Sequence, residues 1–522
     1  MTGRDPHPDP LPGRERERTS GPLGDLDPET FRRYGHRVVD WIAEYLAHPE
    51  RVPVLARVKP GEIRGALPPA PPETAESLNA ILDDFERVIV PGITHWNHPG
   101  FFAYFGISGS VPGILGELLC AALNVNAMLW RTSPAATELE EVALDWLRQL
   151  LGLPPAFRGV IYDTASISSL CALAAAREAA GLEARERGLA GRPELPGLRV
   201  YTSEQAHSSI EKAAIVLGIG QAGVRKIPTD PEFRLDVDAL ARAIAEDRAA
   251  GWRPIAVAAT VGTTATTSVD PVPAIAEVAT REGLWLHVDA AYGGSAALLP
   301  ERRHVLDGCD RADSIVVNPH KWLFTPIDCS AFYCRRPDVL KRAFSLVPSY
   351  LQTTEGSAVE NFMDYGPQLG RRFRALKLWM VLRTYGRAGL QARLREHIRL
   401  GQAFAGWVDA DPDWERLAPV PFSTVCFRLR PRGWAADDPR LTPLNERLLA
   451  AVNATGEVFL SHAVLGGRYT LRLAIGNIRT EERHVRRAWE ILRAEALRAG
   501  ATPTVVAGAP PTPSPPPGER AG

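Results

Sequence analysis

The sequence has no surplus of either charge. Sixty lysines and arginines stand against 61 aspartates and glutamates, for a formal net charge of −1. That excludes the basic stripe on which nucleic-acid binding depends and favours a small-molecule partner over a polyanion. Cysteine is scarce, with six in 522 residues. Cys120, Cys171, Cys309, Cys329, Cys334 and Cys426 form no Cys-x-x-Cys pair and no zinc-like spacing. Neither a structural disulfide nor a metal site is expected, and the compartment implied is reducing and cytoplasmic. No apolar run reaches about 18 residues, so no membrane-spanning helix is expected. The first 20 residues lack the apolar stretch of a signal peptide. His95 and His98 do not make His-Glu-x-x-His, and neither a Gly-x-Ser-x-Gly elbow nor a Walker loop occurs. Gly218-Ile219-Gly220-Gln221-Ala222-Gly223 has the letters of a dinucleotide loop. A helical run precedes it and a strand follows, the reverse of what such a loop needs, so it reads as a helix end and turn.

What is present is ordinary globular composition, 45% hydrophobic and 23% charged. Residues 1–24 and 501–522 are rich in Pro, Gly and polar residues and are expected to be disordered tails. Residues 25–110 read as a helical segment. Asp27-Pro28-Glu29 has the form of a helix start, and a second helix is expected near Ala75–Ile89. Their apolar faces predict packing on another surface, such as a second subunit. Residues 111–385 alternate helices with continuous apolar strands at Val160–Tyr162, Leu198–Thr202, Val224–Ile227, Ile255–Thr260, Leu284–Val288, Ser314–Val317 and Ala331–Cys334. This pattern predicts an α/β fold with a mainly parallel seven-stranded sheet covered on both faces. Residues 386–500 mix helices with strands such as Val425–Leu429 and Tyr469–Ile475, and read as a smaller α+β domain.

The chemistry-bearing residues stand just past predicted strands. Lys321, in Asn318-Pro319-His320-Lys321-Trp322, follows one directly. A desolvated lysine has a lowered pKa and attacks carbonyls. Asp289 ends the run Leu284–Val288 and is followed by Ala290 and Ala291, which leave room for a flat ring. A carboxylate at a strand's C-terminal end sits where open α/β sheets bind ligands. There it can hold a protonated pyridine nitrogen such as that of pyridoxal phosphate (PLP). Thr164-Ala165-Ser166, between a strand and a helix, and the Thr260–Thr264 stretch offer hydroxyls and N–H groups to a phosphate. His207 follows Leu198–Thr202 and could stack on the ring. Tyr350 opens a polar stretch, to about Gln368, with the character of a lid. Each residue alone has a plain alternative: a loop lysine, a capping acid, simple helix caps, a core histidine, an exposed loop tyrosine.

Together these stretches resemble the group II PLP-dependent decarboxylases, in particular the aromatic-L-amino-acid decarboxylases. The matching segments are Phe101–Phe105, Ser133–Glu140, Gln205–Ser209, His287–Tyr292, Asn318–Trp322 and Leu369–Trp379, in order along the chain. The resemblance implies a fold-type-I (aspartate-aminotransferase-like) homodimer with the N-terminal helices over the partner. It implies Lys321 as the cofactor lysine, Asp289 as the pyridinium partner, and His207 and Ala291 on either side of the ring. Ala165, Ser166, Thr260, Asn318 and His320 would surround the phosphate, and Tyr350 would help protonate the substrate α-carbon. Trp96, Tyr104, Phe105, Ile107 and Gly370 would line the substrate pocket.

The activity implied is loss of CO2 from an L-amino acid to give the amine, aromatic first: tryptophan, 5-hydroxytryptophan, DOPA, phenylalanine or tyrosine. The alternatives are an aldehyde synthase, a decarboxylase of a non-aromatic amino acid, and a cofactor-binding relative without catalysis. The chain departs from the family pattern at Gly106-Ile107, where Pro and then Thr or Ser are usual, so one pocket wall loses a hydroxyl. It departs again at Asp163 and Ile167, where Gly and Glu are usual. An acid there would be repelled by a phosphate, so Asp163 is expected to turn away from it. Gly370 replaces a frequent Ser and leaves room for a larger ring.

Overall fold

The computed structural model describes residues 24–346, 355 and 358–500. Seven strands form one sheet: β1 (Arg158–Tyr162), β2 (Leu198–Ser203), β3 (Val224–Ile227), β4 (Arg253–Thr260), β5 (Trp285–Asp289), β6 (Ser314–Val317) and β7 (Ser330–Cys334). Every predicted strand is present, with ends shifted by no more than two residues. The order is β1-β7-β6-β5-β4-β2-β3. β7 runs antiparallel to both β1 and β6, and the other neighbours are parallel. β5, β6 and β7 are buried at every position. Both faces are covered, which is why these segments read as apolar runs and not as alternation.

This topology decides where the site lies. β1 and β6 are each antiparallel to β7, so β1 points the same way as the parallel strands. The C-terminal ends of β1, β2, β4, β5 and β6 therefore emerge on one edge, and the loops that follow them converge.

Beyond the sheet, the helix Ala375–Ala410 breaks at Gly386 (φ 59°, ψ 179°). A four-stranded antiparallel sheet follows: β8 (Trp414–Arg416), β9 (Thr424–Leu429), β10 (Ser461–Leu465) and β11 (Arg468–Ala474), in the order β10-β11-β9-β8. β10 and β11 join through Gly466 and Gly467 with φ of 53° and 77°, a left-handed pair that a two-residue hairpin requires. At the N-terminal side, Asp27 Oδ1 accepts from the N–H groups of Glu29 and Thr30, both at 3.0 Å, and starts the helix Pro28–Ala47. The second predicted helix is shorter than expected, Leu78–Asp84, and widens into a π turn over Phe85–Ile89. The glycine-rich decoy ends the helix Ser209–Val216 and turns into β3. All six cysteines are free and buried. No described helix is long and apolar enough to cross a membrane.

Four buried imidazoles give the fold a pH signature. Burial pushes His98, His287 and His397 down to about 4 and His320 to about 3. Below their ordinary 6.5 the unfolded chain binds protons that the folded chain refuses, so stability falls as pH drops from 6.5 towards 4. Asp270, pushed up to about 6 by burial, acts in the opposite sense as one group against four. The urea midpoint should therefore fall between pH 7 and pH 5, and an unchanged midpoint would contradict neutral buried histidines.

Candidate active site

Five strand ends feed one cavity of about 170 Å³. β1 leads into the helix Ala165–Ala179, and Thr164, Ala165 and Ser166 line the cavity. The first-turn N–H groups of that helix have no intrahelical acceptor and carry the positive end of its dipole. β4 brings Thr260, Gly262 and Thr264. Their turn is fixed by the buried Asp270, which accepts from the N–H groups of Thr260 and Leu235, both at 2.8 Å. Gly262 has φ +92°, and a Cβ there would lie 2.9 Å from Gly293 N. β5 ends on Asp289, whose Oδ1 accepts from Ala291 N–H at 3.1 Å. β6 leads to Asn318, His320 and Lys321 on the short helical turn Pro319–Trp322. β2 leads to His207, whose Nδ1 accepts from Ser209 N–H at 3.2 Å and leaves the Nε2 side to the cavity.

The electrostatics follow from burial. Desolvation lowers the pKa of Lys321; Asp289 acts against this and Arg472 adds to it. Desolvation also lowers His207, so its imidazole is neutral near pH 7. His320 is neutral too and is pinned by Cys329 N–H, which donates to Nδ1 at 2.9 Å. The carboxamide of Asn318 lies 3.2 Å from His320 Nε2 and 2.7 Å from Ser330 Oγ. Ser330 Oγ is in turn 2.9 Å from Ser168 Oγ, on the helix that carries the Thr164–Ser166 turn.

Asp163 does not line the cavity. Its carboxylate accepts from Thr164 N–H at 2.5 Å and from Gln368 Nε2 at 3.3 Å. It thereby takes one backbone donor out of the cup.

All nine predicted cofactor residues line this one cavity, and so does Phe105. The other predicted substrate-pocket residues do not. Trp96 stacks on Phe101 (4.3 Å) and Tyr104 (5.8 Å), Tyr104 is 55% exposed, and Gly370 is exposed beside Asn126. Ile107 is half-buried away from the lining. Tyr350 and the first part of the predicted lid, 348–354 with 356 and 357, lie outside the described residues.

The structure adds residues that the sequence reading missed. Tyr292 lines the cavity and stacks between Phe105 (3.9 Å) and Trp322 (4.7 Å). The guanidinium of Arg472 lies over the other side of Phe105 at 4.6 Å. Arg472 is 3% exposed. Its Nε donates to Ala265 C=O at 2.9 Å and its Nη1 to Tyr104 C=O. Nη2 has no partner among the described residues. The available signal was an arginine inside the otherwise apolar strand Leu471-Arg472-Leu473.

The arrangement fits PLP on its own chemistry. Hydroxyls and unused helix N–H groups at one end suit a phosphate, and a carboxylate at the other end suits a protonated ring nitrogen. An amine whose pKa is lowered by burial lines the same cavity, and Ala291 leaves room for a ring.

Fold and site together define an α/β enzyme that uses a lysine and a phosphate-bearing carbonyl cofactor. The profile described as the pyridoxal-dependent decarboxylase conserved domain matches residues 60–430. A tryptophan decarboxylase of Camptotheca acuminata is 44% identical over 92% of this chain and 97% of its own. A phenylacetaldehyde synthase of a Rosa hybrid cultivar is 42% identical over 90% and 94%. The crystal structure of Oryza sativa TDC with PLP and tryptamine superposes with a TM-score of 0.87 at 40% identity, covering 92% of this chain and 99% of that one. The chain belongs to the group II pyridoxal-dependent decarboxylases, in the aromatic-amino-acid decarboxylase family. It is a PLP-dependent amino-acid decarboxylase of fold type I.

Gly262→Ala tests the cradle. Strain at φ +92° together with the close Gly293 N should raise the PLP dissociation constant about tenfold, read from visible absorbance on titration. Unchanged affinity would show that this turn does not shape the cofactor site.

Proposed function

We propose that the chain decarboxylates L-amino acids with aromatic side chains, at Lys321. The observation that carries this reading is that Lys321, Asp289 and His207 meet in one cavity walled by Phe105. The named relatives support the aromatic class. Lys321 would hold the cofactor, and Asp289 would favour the protonated form of its ring nitrogen. His207 and Ala291 would flank the ring. Ala165, Ser166, Thr260, Asn318 and His320, with Thr164 and Thr264, surround the phosphate. When bound, PLP supplies the electron sink for the pair left behind as CO2 departs.

This chain's residues do the rest. The free Nη2 of Arg472 accounts for recognition of the substrate carboxylate, because a buried guanidinium donor without an acceptor is costly until an anion arrives. Phe105 gives the side chain an apolar wall, held flat by Tyr292 and Trp322. The free Lys321 amine would lose its proton more readily than an exposed lysine, so it could take up and return one. Tyr350 is assigned the delivery of a proton to the α-carbon.

A homodimer completes the reading. Val111, Leu115, Leu118, Leu119 and Leu123 on one helix are each 45–59% exposed, an apolar face that a monomer does not leave to water. A second copy over this face would complete the substrate wall to which Trp96, Tyr104, Ile107 and Gly370 are assigned. The cytoplasmic setting rests on cysteines that are all unpaired. The second reading, an aldehyde synthase, has the Rosa relative in its favour; the presence of His207 and Tyr350 favours the amine.

A CO2-release screen over the twenty amino acids plus DOPA and 5-hydroxytryptophan, with products identified by mass, tests the assignment. Aromatic amines are expected. Release only from acidic or aliphatic substrates would sink the aromatic reading, and aldehyde with oxygen uptake would establish the second one. Lys321→Ala should lose both visible absorbance and CO2 release. Arg472→Met should raise KM at least about tenfold while changing kcat less, as expected for loss of a charge-assisted contact made on binding. An unchanged KM would remove Arg472 from substrate recognition.

A further inference from the structure

β1 is the edge strand of the large sheet, with β7 as its one neighbour. Edge strands leave backbone groups unpaired, and this one runs straight into the turn Thr164-Ala165-Ser166. At Ile161 both backbone groups are taken by side chains. Its N–H donates to Glu140 Oε1 at 2.8 Å, and its C=O accepts from Arg371 Nη2 at 2.9 Å. The same Nη2 donates to the same Glu140 oxygen at 2.6 Å. An ion pair thus supplies one acceptor and one donor, as a neighbouring strand would. Glu140 is 1% exposed and Arg371 6%.

The two residues arrive from distant parts of the chain. Glu140 projects from the helix Pro134–Leu151, and Arg371 stands ahead of the helix Ala375–Ala410. Arg371 is anchored in its own right. Its N–H donates to Asn126 Oδ1 at 2.9 Å, its C=O accepts from Ala127 N–H at 2.8 Å, and Nη1 donates to Ala127 C=O at 3.2 Å. Its guanidinium also lies 4.7 Å over the Phe362 ring. Both residues belong to motif stretches, Ser133–Glu140 and Leu369–Trp379, and neither Glu140 nor Arg371 has a role in the chemistry of the site.

We propose that Arg371 and Glu140 are positioning residues, a side-chain clasp that sets the end of β1 and with it the Thr164–Ser166 cup for the cofactor phosphate. The proposal rests on the assignment of that cup to the phosphate. Its physical basis is the fork of the guanidinium: Nη2 serves the Glu140 carboxylate and the Ile161 carbonyl while Nη1 holds the Ala127 carbonyl. Lysine keeps the charge and cannot reproduce that geometry. Glutamine at 140 keeps the shape and an acceptor for Ile161 N–H while losing the charge pair.

The test compares the dissociation constants of PLP and of phosphate-free pyridoxal, titrated onto enzyme freed of cofactor. The proteins are wild type, Arg371→Lys, Glu140→Gln and Ser166→Ala. The clasp variants should cut the advantage of PLP over pyridoxal about tenfold, with pyridoxal affinity held within about twofold. Parallel weakening of both ligands would overturn the proposal, because a packing role without phosphate specificity predicts it. An unchanged ratio in the clasp variants, with a reduced ratio in Ser166→Ala, would overturn the clasp alone. A ratio unchanged in all three variants would overturn the phosphate assignment beneath it. If Arg371→Lys does not fold, the near-isosteric Glu140→Gln decides.

Discussion

Keeping the amine of Lys321 out of water is the constraint from which the rest of the site follows. Removed from solvent, an ammonium loses hydration that nearby charges only partly replace. Asp289 favours the charged form while Arg472 and burial oppose it, and the balance lies below an exposed lysine. The neighbouring imidazoles of His207 and His320 are held neutral by the same burial. Asp289, which lines the cavity, and Arg472, which lies against Phe105, are thus opposite charges acting on that amine. One suits a cationic ring nitrogen and the other an anionic substrate group. Lys321 is the buried amine whose pKa this balance lowers.

Such a site needs backbone held to fractions of an ångström, and buried carboxylates provide it at strand ends. Asp270 grips Thr260 N–H at the end of β4, and Glu140 grips Ile161 N–H in β1. Burying a carboxylate costs several kcal/mol unless hydrogen bonds and cations replace its water. Glu140 has Arg371, whereas Asp270 is held by the backbone N–H groups of Leu235 and Thr260 and is pushed up to about 6. These acids lie beneath the cavity loops and serve the frame, which separates them from Asp289.

The large sheet was legible because its strands are buried on both faces, so β5 to β7 read as unbroken apolar runs with polar residues immediately after them. The same positional logic exposed Lys321, Asp289 and His207, each a polar residue just past a strand. Arg472 was not legible from spacing. Its role depends on the smaller sheet docking over Phe105, a contact between residues 367 positions apart. The short strand β8 and the hairpin strand β10 also escaped, since three residues of Trp414–Arg416 and the half-exposed Ser461–Leu465 carry no run. The helix expected over Ala75–Ile89 was overdrawn because its later turn widens at Phe85, a backbone choice with no compositional mark.

The departure at Gly106 has a packing reason. A Cβ there would lie 3.0 Å from Asn477 N and 3.1 Å from Gly476 C, so glycine permits backbone to meet backbone between the Phe101–Gly106 segment and the end of β11. That contact accompanies the left-handed Tyr104 (φ 51°), whose carbonyl accepts from Arg472. Phe105 then turns into the cavity beneath the same guanidinium. The contact thus holds the arginine and the phenylalanine together as one unit. Such a wall holds the α-carboxylate by charge and the side chain by apolar contact. Apolar contact discriminates weakly, about 1–3 kcal/mol per methylene-sized difference, whereas a missing hydrogen-bond partner discriminates strongly. On the proposed reading, the geometry therefore favours breadth among aromatic side chains over selection for one ring hydroxyl. On the same reading, refusal of non-aromatic acids falls to the shape of the pocket that Phe105 begins.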